Sequence, residues 1–262
     1  MKRYMSVLAL DARCTVYKLI TLLVVSTVVQ IWNFRRVLLE TIQYYMENFG
    51  MEELAQIEEN RLLITFERAI GDSYIQWMFC ITMLLAAVVL IHACSEHGKV
   101  RTKQFLWRLR MERRQLFVVW FLYRVFWMII LVAWEIMVVI GLNEFYQQLI
   151  AKGKAPQALF MAFHRNAFLH NLMPLTDIRG IVKLFLLIVF LGMATAYIGY
   201  MGFEERRAAC SILVTVTVYA VVLISAGADV LSLEWMLILV TAIAVISMIV
   251  SVVQSLGVHY DG

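Results

Sequence analysis

Six long runs of almost uncharged residues constrain this chain more than any other feature of its sequence. A helix needs about 20 mostly apolar residues to cross the hydrocarbon core of a bilayer. Five runs reach that length, whereas the first has 16 uncharged residues between Lys18 and Arg35, whose long side chains extend it by reaching outward. The predicted spans are 18–35, 73–95, 115–143, 183–203, 208–228 and 234–257.

The runs predict helices, because their apolar residues are continuous and do not alternate as the strands of a barrel do. Hydrophobic residues make up 62% of the chain and charged residues 16%, against about 45–50% and about 25% in soluble domains. We therefore predict an all-α polytopic membrane protein, with six transmembrane helices in a single transmembrane domain over 1–262.

The distribution of lysine and arginine predicts the orientation. With the N-terminus in the cytoplasm, the inner segments hold 13 basic residues and the outer segments hold 8. Because basic residues accumulate on the cytoplasmic side, both termini are predicted to lie inside. This asymmetry accounts for the net charge of +4, so no nucleic-acid partner is predicted.

The first 17 residues have two interpretations. Helical spacing of their basic and apolar residues favours an amphipathic interfacial helix over 1–17, although Asp11 interrupts the apolar face. The alternative is that this segment simply extends the first span into water.

Two longer segments are predicted to lie outside. The loop 36–72 carries eight acidic residues, and the first helix projects into it before a turn at Gly50. Such a loop suits either an ordinary solvated cap or a surface that attracts cationic peptides. The loop 144–182 contains a predicted amphipathic helix, either re-entrant or interfacial, whose apolar residues run from Phe160 to Leu172 and which Pro174 ends at Met173.

A basic connector, residues 96–114, joins the second and third predicted spans in the cytoplasm. Seven of the 23 basic residues lie within 99–114, and a helix there places Lys103, Arg110 and Arg114 on one stripe. Such a helix either lies on anionic lipid or docks into a groove on a cytoplasmic protein, and charge alone favours lipid.

Two charged residues fall inside the third predicted span. Arg124 and Glu135 are eleven residues apart, or about 16 Å along a helix, which is too far for direct pairing. Arg124 is expected to snorkel toward the cytoplasmic boundary. Glu135 lies deeper, so it needs a partner helix, a cavity, a cationic group or a proton, and it is the most consequential buried charge.

Three strings carry a family resemblance. The connector string TKQFLWRLRMERRQLFVVWFLYRVFW leads directly into a span, and FHRNAFLHNLMPLTDIRG precedes another span that is followed by FEERR. Together with six spans and an amphipathic N-terminus, these strings resemble membrane (permease) subunits of ABC-2-type transporters, in particular uncharacterised permease-like proteins of Gram-positive bacteria. The resemblance covers most of the chain.

The resemblance implies a multi-pass subunit of an exporter in the bacterial plasma membrane. It would pair with an ATP-binding-cassette subunit and with a second membrane subunit, identical or different. The residues expected to contact the ATPase lie in the connector and in a second cytoplasmic turn: Arg101, Lys103, Phe105, Leu109, Arg110, Arg114, Arg206 and Arg207.

No catalytic, cofactor or metal residues are predicted in this chain. No G-x-x-x-x-G-K-[ST] string occurs, so ATP and magnesium are expected in the partner subunit, and the chain itself is not predicted to be an enzyme. His164 and His170 are six residues apart and do not share a helical face. The alternative function is a non-transporting interaction, immunity or sensor protein that binds an external peptide.

The predicted orientation can be tested by labelling. In a variant that lacks the four native cysteines, single substitutions Glu58→Cys and Lys103→Cys place one thiol on each side of the membrane. A membrane-impermeant maleimide added to intact cells should label the first and not the second. The opposite pattern would invert the topology.

Overall fold

Helices form every regular element that the structure describes. The computed structural model describes residues 2–48, 64–96, 113–151, 158–174 and 177–201, and within these ranges no strand occurs, which confirms the predicted helical class for this part of the chain. In chain order the helices are α1 (Lys2–Asn48), α2 (Phe66–Asp72), α3 (Ile75–Glu96), α4 (Arg113–Tyr146), α5 (Ala158–Arg165), α6 (Ala167–Leu172) and α7 (Ile178–Met201). A π-helical turn over Gln147–Ala151 continues α4.

Three of the described helices are long and apolar enough to cross a membrane. They are Thr15–Asn48 in α1, Phe117–Leu149 in α4 and its continuation, and Ile178–Ala196 in α7. The pair Phe66–Asp72 and Ile75–Ile91 passes the same test together, but bends by 54° at its break, so it is either a broken span or a re-entrant loop. The predicted spans 208–228 and 234–257 lie outside the described residues.

The first helix is longer than its predicted span on both sides. Its 47 residues correspond to about 70 Å of helix, more than twice the roughly 30 Å of a hydrocarbon core. Neither glycine nor proline occurs within it to interrupt the backbone hydrogen bonds. The segment predicted as an interfacial helix is therefore continuous with the first span, and the predicted loop 36–72 begins with helix.

The long helices pack around a shared apolar core. α4 packs most extensively against α7, α1 packs against α3, and α4 also contacts α1. Gly192 permits the close approach of α7 to α4, because a methyl group there would touch Val125 Cγ2 and lie 3.2 Å from its backbone nitrogen. The four long helices thus form one bundle, with α1 and α7 on different sides of α4.

The bend between α2 and α3 occurs at Ser73 and Tyr74. Tyr74 has φ 55°, a left-handed conformation that is unusual for a residue other than glycine. The Ser73 side chain is buried, and its hydroxyl donates to the Ile70 carbonyl oxygen at 2.9 Å. This hydrogen bond supplies a donor to a carbonyl group in the last turn of α2. The chain therefore changes direction without leaving this hydroxyl unbonded.

Two short helices replace the single amphipathic helix expected between Phe160 and Leu172. The break is at Asn166, whose Oδ1 accepts from the backbone N–H groups of Phe168 and Leu169 and so starts α6. α6 ends at Leu172, with Met173 as its C-cap, so it stops one residue before the predicted end at Met173.

The last described helix also begins earlier than the predicted span at 183. The carboxylate of Asp177 accepts from the N–H groups of Arg179 and Gly180 and thereby caps α7. The helix therefore starts at Ile178, ahead of its apolar run.

The close contact between α4 and α7 makes Gly192 sensitive to substitution. Gly192→Ala should destabilise the protein by about 1–3 kcal/mol, because the added methyl group forces the helices apart. The matched control is Gly141→Ala on α4, where a methyl group would have nothing within 4 Å. Thermal unfolding in detergent, followed by tryptophan fluorescence, should show a lower midpoint for the first variant alone. Equal midpoints would mean that this crossing is loosely packed.

Candidate functional site

A row of polar side chains on α1 faces α3 and α4 inside the bundle. Thr15, Ser26 and Gln30 are spaced by eleven and four residues, which places them on one face of the helix. Each of them, together with Thr27, makes a hydrogen bond to a side chain of another helix. We call these four contacts the polar seam.

The contact between Gln30 and Glu135 contains the buried carboxyl group of the seam. Gln30 is 1% exposed and Glu135 is 3% exposed. The Gln30 Nε2 atom donates to both carboxyl oxygens, at 3.0 Å each. Of the surroundings that the sequence left open for Glu135, the structure shows a neighbouring helix, and the contact joins α1 to α4.

Hydroxyl groups form the next two contacts of the seam. Ser26 Oγ lies 2.7 Å from Thr82 Oγ1, and Thr82 itself donates to the Met78 carbonyl oxygen, so Ser26 is the donor between them. Thr27 Oγ1 donates to the Leu23 carbonyl oxygen and accepts from Trp134 Nε1 at 2.8 Å. Each hydroxyl proton is thereby committed to a partner.

The fourth contact, at the other end of the seam, joins Thr15 to Tyr123. The Thr15 Oγ1 atom lies 2.6 Å from the Tyr123 hydroxyl oxygen. This contact is three helical turns from Ser26, so the seam runs along much of the length over which α1 and α4 are neighbours.

The expectation that Arg124 snorkels is wrong for the described bundle. Its side chain is fully buried, and the guanidinium carbon lies 5.8 Å from the centre of the Trp120 ring. The adjoining residues explain this burial, because Tyr123 bonds to α1 and Val125 packs at Gly192 of α7. Helices therefore cover both sides of α4 at this level.

Aromatic rings close one end of the bundle. Phe66 of α2 packs edge-to-face on Phe34 of α1 and contacts Tyr146 of α4, with ring centres 5.9 and 5.4 Å apart. The Tyr146 hydroxyl donates to the Ile64 carbonyl oxygen at 2.7 Å. We call Phe34, Phe66 and Tyr146 the aromatic cap; it joins the start of α2 and the end of α4 to α1.

The residues at the start of α6 contact α2 and α3. Asn166, which starts α6, donates through Nδ2 to the Glu67 carbonyl oxygen of α2 at 3.2 Å. Phe168 of α6 packs against Phe79 of α3, with ring centres 5.9 Å apart. The predicted loop 144–182 thus contains helices that pack onto the bundle.

Most of the residues expected to contact an ATPase lie beyond the helices that the structure describes. Arg101, Lys103, Phe105, Leu109, Arg110, Arg206 and Arg207 lie outside the described residues. Arg114 lies in the first turn of α4, directly after Arg113. Among the described residues, no group of three histidine, cysteine, aspartate or glutamate side chains could hold a metal ion.

Gln30, the partner of Glu135, and Ser26, the partner of Thr82, are not among the functional residues that the sequence predicts. Gln30 and Ser26 are uncharged, so a search for charges within spans does not select them. Their four-residue spacing in a mostly apolar run indicates a polar helix face, because polar side chains inside a membrane helix usually hydrogen-bond across helices. Spacing alone does not reveal which helix they face.

Comparison with known proteins adds no assignment to this geometry. No family model, no curated protein and no solved structure matches the chain.

The Gln30–Glu135 contact should be measurable as a coupling between two substitutions. A double-mutant cycle with Gln30→Leu and Glu135→Leu should give about 1–2 kcal/mol, the upper part of the range for hydrogen bonds between membrane helices. The matched control is Arg36→Ala with Glu40→Ala, a surface pair on α1 with side chains 69% and 58% exposed. Its coupling should stay below about 0.5 kcal/mol. Thermal unfolding of the purified variants supplies both values, and equal couplings would contradict the buried contact.

Proposed function

We propose that this chain is the membrane-spanning subunit of an ATP-binding-cassette exporter. In this proposal it has six spans with both termini in the cytoplasm of a bacterial cell, and it pairs with a separate ATPase and with a second membrane subunit. The observation that carries the proposal is the continuity of α4, which begins at Arg113 where the basic connector ends and continues unbroken to Tyr146.

A continuous helix is a rigid element, so a displacement at its first turn reaches its far end. Arg113 and Arg114 lie at one end of α4 and the aromatic cap lies at the other, with Glu135 between them. Closure of an ATPase against the basic connector would therefore shift the seam and the cap together. This is the mechanical link that a transport subunit without its own nucleotide motif requires.

The surface of the bundle supports a lipid environment. Large apolar side chains are exposed on all four long helices, among them Val28 and Trp32 of α1, Ile81 of α3, Phe126 and Met137 of α4, and Phe185 of α7. Water-soluble domains rarely expose apolar surface over such lengths. Lipid covers these side chains in the proposed arrangement, while the polar seam faces inward.

The predicted orientation is part of the proposal. It rests on the excess of basic residues in the inner segments, to which the connector contributes the largest share. With this orientation the connector and the turn at Arg206 and Arg207 both face the cytoplasm, where ATP is available.

The alternative, capture of an external cationic peptide by an acidic loop, receives less support. Three acids of the segment 36–72 that the structure describes lie beside arginines: Glu40 beside Arg36, Asp72 beside Arg68, and Glu67 beside Arg165. These pairs offset three of the eight acidic charges that would attract such a peptide.

Affinity purification tests the proposal directly. Full-length tagged protein, solubilised from its own host, should bring down a protein with a nucleotide-binding motif and ATP hydrolysis activity. The variant with Lys103→Glu, Arg110→Glu and Arg114→Glu should retain about a tenth of that ATPase or less, since about 1.4 kcal/mol of lost contact energy gives a tenfold change.

The matched control reverses three arginines of the opposite side: Arg35→Glu, Arg36→Glu and Arg68→Glu. Two of these belong to exposed pairs that contribute little to stability, so ATPase capture should be unchanged. If the wild-type protein captures no ATPase, the exporter proposal is wrong. If the connector variant captures as much as wild type, the connector is not the coupling element.

A further inference from the structure

The Gln30–Glu135 contact leaves one hydrogen-bonding requirement unmet. The same Nε2 atom serves both oxygens of Glu135, while the Oε1 atom of Gln30 is buried and accepts from no group that the structure describes. Buried carbonyl oxygens normally have a donor, so a missing one needs an explanation. The side chain is 1% exposed, and bulk water therefore does not supply that donor.

The neighbouring hydroxyl groups do not supply it either. Thr27 and Thr82 donate to backbone carbonyl oxygens of their own helices, and Ser26 gives its proton to Thr82. A hydroxyl group has one proton to donate. These hydroxyl groups therefore leave Gln30 Oε1 without a donor.

The buried carboxyl group of Glu135 has a second unmet requirement, a partner for its negative charge. Within the described residues, no lysine, arginine or histidine nitrogen forms an ion pair with its carboxyl group at 4.0 Å or less. A buried carboxylate without a cation is costly in an apolar bundle. One proton removes the charge and also provides an O–H donor.

We propose that Gln30 and Glu135 form a proton-binding site. In the protonated state the Gln30 amide turns so that each of its polar atoms faces one carboxyl oxygen. The protonated Glu135 then donates its O–H to Gln30 Oε1, and Gln30 Nε2 donates to the other carboxyl oxygen. In this step a hydronium ion transfers its proton to a carboxylate oxygen of Glu135. One O–H bond breaks, another forms and water is released, with no oxidation or reduction.

This paired arrangement satisfies the groups that the contact left open. Each residue donates one hydrogen bond and accepts one, so Gln30 Oε1 gains its donor and no net charge remains. With the proton bound, the contact between α1 and α4 has two hydrogen bonds and both Gln30 polar atoms are bonded. Without the proton, the N–H groups of one amide serve both carboxyl oxygens, and Gln30 Oε1 lacks a donor.

The ionisable groups around the site are few. On α3 the thiol of Cys80 is within electrostatic range of Glu135, and on α4 itself the flanking charged residues, Glu144 and Arg124, are nine and eleven residues away. Residues 19–34 of α1 and 184–196 of α7 contain no ionisable side chain. Few nearby groups therefore compete with Glu135 for the proton. The proton-binding site does not depend on the binding of an ATPase.

Infrared spectroscopy of the whole protein in lipid nanodiscs tests this assignment. A protonated carboxyl group has a carbonyl stretch well separated from the bands of a carboxylate. At neutral pH the wild-type protein should show that band, and Glu135→Gln should lack it. The matched control Glu40→Gln changes an exposed glutamate of α1 and should retain it. A wild-type spectrum without the band, or a band unchanged in Glu135→Gln, would overturn the proposal.

Two further measurements keep the proposal testable if Glu135→Gln folds poorly. In Gln30→Leu the band should move to higher frequency, since the carbonyl group loses its donor. In the wild-type protein the band should vanish, and the unfolding temperature should fall, as the pH rises and the proton leaves. A band at unchanged frequency in Gln30→Leu contradicts the pairing. Stability that follows sodium concentration at fixed pH would assign the site to an alkali cation.

Discussion

The need to satisfy polar groups inside an apolar bundle governs how these helices associate. Apolar side chains gain little by leaving lipid for a helix interface, so packing and hydrogen bonds must select the contacts. The polar seam meets this need, because α1 bonds to α4 through Thr15, Thr27 and Gln30 and to α3 through Ser26. These contacts fix the rotation of α1, and the exposed apolar side chains then face outward.

The fourth helix connects the parts of the molecule that carry its proposed function. It makes the seam with α1, the close crossing with α7 at Gly192 and the aromatic cap at Tyr146. A glycine at the crossing removes the side chain that would separate the backbones, whereas hydrogen bonds hold the opposite side. Movement of α4 would therefore displace α1 and α7 together, as the proposed transport subunit requires.

Within the described residues, the long apolar helices cover most of each run from which a span is predicted, whereas the helix ends differ from the ends of those runs. Long uncharged runs predict spans because hydrocarbon excludes unpaired polar groups over a known thickness. The ends depend on local hydrogen bonds, so Asn166 divides one expected helix into two, and Asp177 starts α7 earlier than its apolar run. The snorkelling expected of Arg124 failed because neighbouring helices, which the sequence does not place, cover it.

The sequence by itself determined that the described part of this chain is helical, that its apolar segments suit a membrane, and that Glu135 is a charge requiring a partner. These follow from residue chemistry and spacing, which are local. Only the tertiary structure decided that the partner is Gln30, that Tyr146 and Phe66 close one end of the bundle, and that Asn166 bonds to α2. Each of these contacts joins residues far apart in the chain, and the rotation of each helix about its axis, which arises from packing, brings them together.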